Sequence, residues 1–227
     1  MNRKDVEQKI QNARANGQAP DMRRVDLGDA DLSGLDLHGV NFSEADLYRT
    51  NLQNANLAEA NLVFANLTRA DLDGANLARS NMVFANIRQA RLQKANLRKV
   101  NLSAADLYGS DLSGANLSNA NLAEANLSAA NLTGANLRDA ILTEVTLKDA
   151  TLKKTDLRGA ILQDVEFSGA NLDKALYNAK TQWDKDIHPP SLGATREKRW
   201  FGKIEKFVDA IVREKGATSI NIEDNDN

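Results

Sequence analysis

Large apolar residues recur at every fifth position along most of the chain. The series runs from Leu27 to Leu172 without an insertion and comprises thirty consecutive units, of which twenty-six carry Leu at this position. The residue two before the apolar one is Ala in twenty units, and the residue directly before it is Asn or Asp in twenty-four. The consensus unit is therefore Ala-(Asn/Asp)-Leu-x-x, and an internal repeat of this kind dictates the fold.

A period of five fits neither a straight helix nor a straight strand. At about 100° per residue, successive Leu residues would step by about 140° around a helix and leave no apolar face. In a strand, side chains alternate with a period of two, so an odd repeat would send successive Leu residues to opposite faces. The backbone must therefore turn once in each unit, with Ala and Leu pointing inward. The pattern predicts an all-β solenoid whose core alternates small and large side chains.

The length of one coil follows from outward residues that resemble each other. Val63-Phe64 recurs as Val83-Phe84, at a spacing of twenty. Multiples of twenty also separate four glycines, Gly34, Gly74, Gly114 and Gly134. Twenty residues correspond to four units, so each coil is predicted to have four sides. The array then makes about 7 to 8 coils, and stacking them at about 4.8 Å each gives a rod about 36 Å long.

These units resemble the pentapeptide-repeat family, and the resemblance spans Leu27 to Leu172, with Met22 as the centre of one further, degenerate unit. The resemblance implies a right-handed quadrilateral parallel β-helix. The flanks are similar to those of cyanobacterial members, which have a short helix before the array. After it they have a segment like Ala175-Leu176-Tyr177-Asn178 and an aromatic and proline loop. Many members have no assigned biochemical role, so the resemblance implies a fold and not an activity.

The open ends of a solenoid need caps, because they expose core residues and unpaired strand edges. Residues 1–20 are predicted to form an N-terminal cap, with an amphipathic helix over residues 3–16 that places Val6, Ile10 and Ala13 on one face. The β-helix is predicted over residues 21–176. An irregular packed loop is predicted over residues 177–194, which contain Trp183 and two adjacent prolines.

A second amphipathic helix is predicted over residues 195–216, with Thr195 as its N-cap and Gly216 as its terminator. Its apolar face consists of Trp200, Ile204, Phe207, Val208 and Ile211. Three roles fit this helix: a cap on the final coil, a homodimer interface, or contact with a membrane surface or another partner. Residues 217–227 are polar and end acidic, and they are predicted to be a disordered tail.

Composition narrows the chemistry. The chain carries 29 Lys and Arg against 31 Asp and Glu, a formal charge of −2, so direct nucleic-acid binding is not expected. It has no Cys, and its two His lack the spacing of metal ligands or of a catalytic triad. No catalytic residue, metal or cofactor is therefore predicted. The sequence shows neither a signal peptide nor an apolar run of about 18 residues, so we expect a soluble, cytoplasmic protein without a transmembrane segment.

Six apolar residues are predicted to face outward on one side of the rod. They are Val63, Phe64, Val83 and Phe84, which should form a contiguous cluster, and Ile141 and Ile161, which should extend it along the same side. A cluster of large exposed apolar side chains is typical of a contact surface. The alternatives are burial under the C-terminal helix folding back, or simple tolerance of exposed apolar residues.

Seven cations crowd the middle coils: Arg69, Arg79, Arg88, Arg91, Lys94, Arg98 and Lys99. They are spread over three of the four predicted sides. We therefore predict a solvated basic belt and not a focused binding site.

These observations favour a non-catalytic scaffold or regulatory module that binds an unidentified protein partner. The resemblance implies one alternative, because a subset of the family mimics B-form DNA in shape and charge and binds DNA gyrase. Under that alternative the partner is gyrase or another nucleic-acid-binding protein. The balanced charge and the basic middle coils argue against it.

Overall fold

The computed structural model describes residues 1–197. The elements are helix α1 (Arg3–Ala15), strands β1 (Ile161–Leu162), β2 (Leu176–Tyr177), β3 (Gln182–Trp183) and β4 (Thr195–Arg196), and a 3-10 helix (Pro189–Leu192). Elsewhere the chain winds into stacked coils joined by single parallel β-bridges. These bridges link residues twenty apart, from Asp21 with Asn41 to Asp156 with Leu176. The predicted coil length of twenty residues is confirmed.

The core is built from the apolar residue at the middle of each unit, here termed the centre, and from the small residue two positions before it. Every centre from Met22 to Leu172 is buried, so Met22 belongs to the array. Four of the small positions carry buried hydroxyl residues in place of Ala. These hydroxyls donate to main-chain carbonyl oxygens of centres: Thr50 to Leu27, Ser80 to Leu77, Ser110 to Leu107 and Thr155 to Leu132. The bonds explain why the core accepts them, because a buried hydroxyl without a partner is costly.

The chain turns at the second residue after each centre, here termed the corner position. In the unit centred on Leu62, the Ala65 N–H donates to the Leu62 carbonyl at 3.0 Å, and Phe64 between them has a φ of 58°. A hydrogen bond of this kind with positive φ at the third residue is the pattern of a type II turn. The left-handed φ at the corner position turns the backbone onto the next side and points the corner side chain away from the core.

Asn and Asp before the centres join the coils from outside. Asn76 is representative: its Oδ1 accepts from the Ala78 N–H at 3.3 Å and from the Asn96 Nδ2 at 2.9 Å, and its Nδ2 donates to the Asn56 Oδ1 at 2.9 Å. The first bond is a local Asx-turn bond, which the sequence predicts. The other two bonds tie together three successive coils. The consensus preference for Asn therefore has a cross-coil cause in addition to the local one.

Helix α1 lies on the first coil. Its Val6 and Ile10 side chains are buried and join the continuous core. Arg14 in its last turn pairs with Asp36 at 2.8 Å. These contacts cover the apolar end of the stack.

Residues 177–194, which the sequence predicts as a loop, form a distorted further coil together with β4. Strand β3 pairs in parallel with β1, placing Trp183 opposite Leu162, and β4 pairs in parallel with β2, placing Thr195 opposite Leu176. The first pairing spans 21 residues and the second spans 19, instead of the usual twenty. The loop prediction is wrong at these strands. The irregular step hides the repeat in the sequence, whereas the backbone groups at the edge of the preceding coil still require partners.

Strand β4 also corrects the start of the predicted C-terminal helix. A helix capped by Thr195 would have Arg196 in its first turn, whereas Thr195 and Arg196 both pair with β2 as a strand. The remainder of the predicted helix and the tail over residues 217–227 lie outside the described residues. This holds for all five residues of the helix's apolar face, Trp200, Ile204, Phe207, Val208 and Ile211.

The corner geometry predicts opposite effects for one substitution at two neighbouring positions. Ala129 lies at an exposed corner with a φ of 56°, whereas Ala130 is a buried small residue of the core. We expect Ala129→Gly to leave the free energy of unfolding unchanged or raise it by up to about 1 kcal/mol, because Gly adopts positive φ without steric cost. Ala130→Gly should lower it by about 1 kcal/mol. Urea titration measures both, and equal destabilisation by the two variants would contradict the assigned turn.

The Asn bonds predict a second difference. Asn76→Ala removes one local and two cross-coil hydrogen bonds, and we expect it to lower the free energy of unfolding by about 1–3 kcal/mol. Asn121 is a matched control, because the coil after it carries Ile141 at the same position, and an isoleucine cannot donate a side-chain hydrogen bond. Asn121→Ala should therefore cost less than Asn76→Ala in the same titration. The reverse order would contradict the cross-coil role.

Candidate functional site

Two phenylalanines occupy corner positions along one edge of the stack. Phe64 and Phe84 are twenty residues apart and therefore lie on adjacent coils, with φ values of 58° and 57°. Their rings stack with centroids 5.1 Å apart and planes at 6°, yet the residues are 58% and 54% exposed. The corner geometry thus presents two parallel apolar rings to solvent.

Packing of the core does not explain why phenylalanine occupies these two positions. Positive φ is unfavourable for a bulky side chain, and among residues 1–197 no other corner position carries an aromatic residue. Side chains that remain more than half exposed gain little from burial in the fold. An exposed aromatic pair at left-handed positions is therefore a candidate for a role outside folding.

Val63 and Val83 lie beside the rings but are less exposed than the sequence predicts. Both are half-buried, because the first residue after a centre lies on a flat side, where equivalent residues of neighbouring coils flank it. Only the corner position projects fully. The four residues Val63, Phe64, Val83 and Phe84, here termed the apolar patch, thus form a flat aliphatic strip with an aromatic edge.

Ile141 and Ile161 are on the same side of the rod but do not extend this patch. They directly precede their centres, where most units have Asn or Asp, and they form bridges with each other. Ile141 is 39% exposed and Ile161 is half-buried. About three coils separate Ile141 from Phe84, which corresponds to about 14 Å. The structure therefore splits the predicted set of six residues into two groups.

The side that follows the aromatic edge carries a contact that the sequence analysis missed. The guanidinium carbon of Arg88 lies 4.4 Å from the ring centroid of Tyr108, and Arg88 also pairs with Asp106 at 2.8 Å. A cation over an aromatic face is an attractive interaction. The signal was present in the sequence, because Arg88 and Tyr108 are twenty residues apart and therefore neighbours on successive coils.

The cations of the middle coils fall into two classes. Three have ionic partners on neighbouring coils: Arg79 with Glu59 at 3.5 Å, Arg88 with Asp106 at 2.8 Å, and Arg91 with both Asp71 and Asp73. The hydrogen bond to Asp73 raises the pKa of Arg91. For Arg69, Lys94, Arg98 and Lys99 the described part of the chain supplies no such partner, although Arg69 donates to the neutral Gln89 Oε1 at 2.9 Å. The predicted belt is thus partly neutralised and not uniformly solvated.

A polar depression lies near the N-terminal end of the coils. It is lined by Lys9, Asp21, Arg23, Arg24 and Glu44. Arg23 pairs with Asp21 at 2.7 Å and Arg24 with Glu44 at 2.8 Å. Hydrogen bonds from Arg23 lower the pKa of Asp21 to about 2. Both arginines are thus occupied by neighbouring carboxylates, which favours a structural role for this region.

Within residues 1–197, no group of three or more His, Asp or Glu side chains is placed to hold a metal ion. Nor does that part of the chain include a helix long and apolar enough to cross a membrane.

Several solved structures similar to this chain are pentapeptide repeat proteins. HetL, a pentapeptide repeat protein involved in heterocyst differentiation regulation from the cyanobacterium Nostoc sp. strain PCC 7120, is 28% identical with a TM-score of 0.54, and the match covers 83% of this chain and 92% of HetL. The protein alr5209 from Nostoc PCC 7120 is 34% identical with a TM-score of 0.32, over 47% of this chain and 84% of its own. A protein of the Arabidopsis thaliana thylakoid lumen is 34% identical with a TM-score of 0.34, over 44% of this chain and 66% of its own.

Comparison with curated proteins finds no match. The family model described as pentapeptide repeats matches in overlapping segments that together span residues 21–176. Because these segments cover well over half of the sequence, the chain belongs to the pentapeptide-repeat family, and its stack of coils is a right-handed β-helix solenoid.

Proposed function

We propose that this protein is a non-catalytic binding module that contacts a protein partner through the apolar patch. The observation that carries the proposal is the stacked pair Phe64 and Phe84, more than half exposed at positions where a polar or glycine residue fits the backbone better. Aromatic residues are enriched at the energetic centres of protein interfaces.

The solenoid suits such a role because it holds the patch in a fixed shape. The Phe64 N–H donates to the Val83 carbonyl at 3.1 Å, and the Phe84 N–H donates to the Ser103 carbonyl at 3.2 Å. Three successive coils are thus tied together beneath the two rings. A surface that is already ordered loses little conformational entropy when a partner binds.

The interior supports a scaffold more than an enzyme. The centres and the small residues before them are mostly Leu and Ala, almost all of them are buried, and they fill the space inside the coils. Catalytic sites require a concave pocket with converging polar groups. A regulatory role is part of the proposal by analogy with HetL, which is involved in the regulation of heterocyst differentiation.

Mimicry of DNA towards gyrase or another nucleic-acid-binding protein has less support. Residues 74–105 contain six Lys and Arg and no Asp or Glu. A surface that imitates the phosphate backbone needs negative charge along its length. This stretch in the middle of the solenoid has the opposite sign.

Replacing both rings with Asn tests the apolar patch while keeping the fold. Asn54 and Asn119 occupy corner positions with φ values of 56° and 59°, so Phe64→Asn with Phe84→Asn introduces a residue that this turn already accepts. In affinity purification from the native host, we expect enrichment of the specific partner to fall by about tenfold or more, as for the loss of interface aromatics.

The matched control is Glu124→Asn with Glu144→Asn, at the same corner position on later coils of the same edge. This control should retain the partner. Equal recovery of the partner by the phenylalanine variant and the control would show that the patch is not the binding site. If this protein instead inhibited the DNA supercoiling that purified gyrase catalyses, the result would support the mimicry alternative.

A further inference from the structure

Three neighbouring cations follow one another across a single side of the rod. Lys94 lies at the corner where the chain enters this side, Lys99 lies at the corner where the chain leaves it, and Arg98 directly precedes Lys99. All three are exposed, and none forms an ion pair within residues 1–197. They are here termed the basic row.

The coils on either side leave most of this row open. The coil after it carries Gly114 and Ser118 beside Lys94 and Arg98, and the coil before it carries Gly74 and Ala78 at the same places. A Cβ atom added to Gly114 would lie 3.6 Å from the Cγ of Lys94, so the lysine stem extends along the glycine. At Lys94 and Arg98 these small neutral neighbours neither shield nor neutralise the charge, and the corners one coil before and after Lys99 carry Arg79 and Asn119, neither of which is an anion.

The basic row leads directly onto the apolar patch. Lys99 marks the corner between its own side and the side that carries the patch. On that next side, Val83 lies on the flat surface and Phe84 at the far corner, one coil before Ser103 and Ala104. Cations, aliphatic surface and aromatic edge therefore form one band that runs around two sides, across the long axis of the rod.

We propose that this band binds an acidic segment of a partner protein, which crosses the rod with its carboxylates on the basic row and an apolar side chain on the apolar patch. The inference rests on the proposed function and specifies the chemistry of the partner. Its basis is charge complementarity. Residues 74–105 carry six cations without a carboxylate, and three of those cations lack a counterion in the described chain.

The surroundings favour a polypeptide over a nucleic acid. A long polyanion that followed the rod would meet Glu59 two coils before the basic row and Asp139 two coils after it, on the same corner of the stack. In proteins that bind single-stranded nucleic acids, the bases stack on the faces of aromatic side chains. Here the two phenylalanine rings already cover one face of each other. An acidic segment that crosses the rod avoids both conflicts.

The experiment uses the full chain and a fluorescein-labelled synthetic peptide with four glutamates followed by one tryptophan, in a glycine and serine background. Binding is measured by fluorescence anisotropy at low salt, up to about 1 mM protein. The test variant is Lys94→Glu, Arg98→Glu, Lys99→Glu. The control variant, Lys148→Glu, Lys153→Glu, Lys154→Glu, makes the same change of charge on later coils. Thermal unfolding of both variants verifies their folding.

We expect the test variant to weaken peptide binding by about tenfold or more and the control variant by less than about twofold. The difference should shrink at about 0.5 M salt, because exposed charges are then screened. A peptide with glutamine in place of glutamate should bind the unaltered protein weakly, with an affinity similar to that of the test variant for the glutamate peptide. Failure of the unaltered protein to bind the glutamate peptide, or equal weakening in the two variants, would overturn the inference.

Two further arms separate this inference from the proposed function. If the test variant binds the peptide normally but Phe64→Asn with Phe84→Asn abolishes peptide binding, the acidic-partner inference fails while the apolar contact stands. If the test variant loses peptide binding and the phenylalanine variant does not, the role of the basic row is supported and the apolar contact is contradicted. A fifteen-nucleotide oligothymidine provides the last comparison. If it binds more tightly than the peptide and the test variant loses that binding, the ligand is a nucleic acid and not an acidic protein.

Discussion

A turn after every centre residue is the constraint on which this structure depends. Each turn places one residue at positive φ, and the N–H of that residue and the N–H of the centre bond to carbonyls one coil away, as Leu62 does to Asn81 and Phe64 to Val83. Local geometry and coil stacking are therefore one arrangement. Because it repeats every five residues and closes every twenty, the side chain at each corner is aligned with those twenty residues before and after it. The side chains at equivalent positions therefore form columns along the stack of coils.

Columns explain how a uniform fold acquires a local site. The core repeats Leu and Ala with little variation, so the backbone carries almost no information about function. Information resides in the residues at the corners and on the flat sides, where neighbouring residues form a patch either on successive coils or around one coil. Phe64 and Phe84 meet this condition in the axial direction, whereas Lys94, Arg98 and Lys99 meet it around one coil. The apolar patch and the basic row adjoin at a single corner.

The sequence predicts the regular part of this molecule because period, coil length and outward pairing all follow from spacing. It predicts that Phe64 and Phe84 are neighbours for the same reason. It fails where spacing is insufficient. The steps of twenty-one and nineteen residues that place β3 and β4 break the period, so strand pairing over residues 182–196 is invisible to a repeat count. Ile141 shares a side with Phe84, but its position before a centre and its distance along the rod separate the two. Contacts such as Arg88 with Tyr108 depend on side-chain conformation.

Corner residues twenty apart in sequence lie one coil apart in space, and spin-label distances in solution measure this spacing. The chain has no Cys, so pairs of introduced cysteines are labelled without background. One label is placed at Glu44 and the other at Glu124, Glu144 or Asp164, which are all corner positions of one edge. We expect distances of about 19, 24 and 29 Å, a step of about 4.8 Å per twenty residues. Steps of about 30 Å, as in a helix, or distances that do not rise in order, would contradict it.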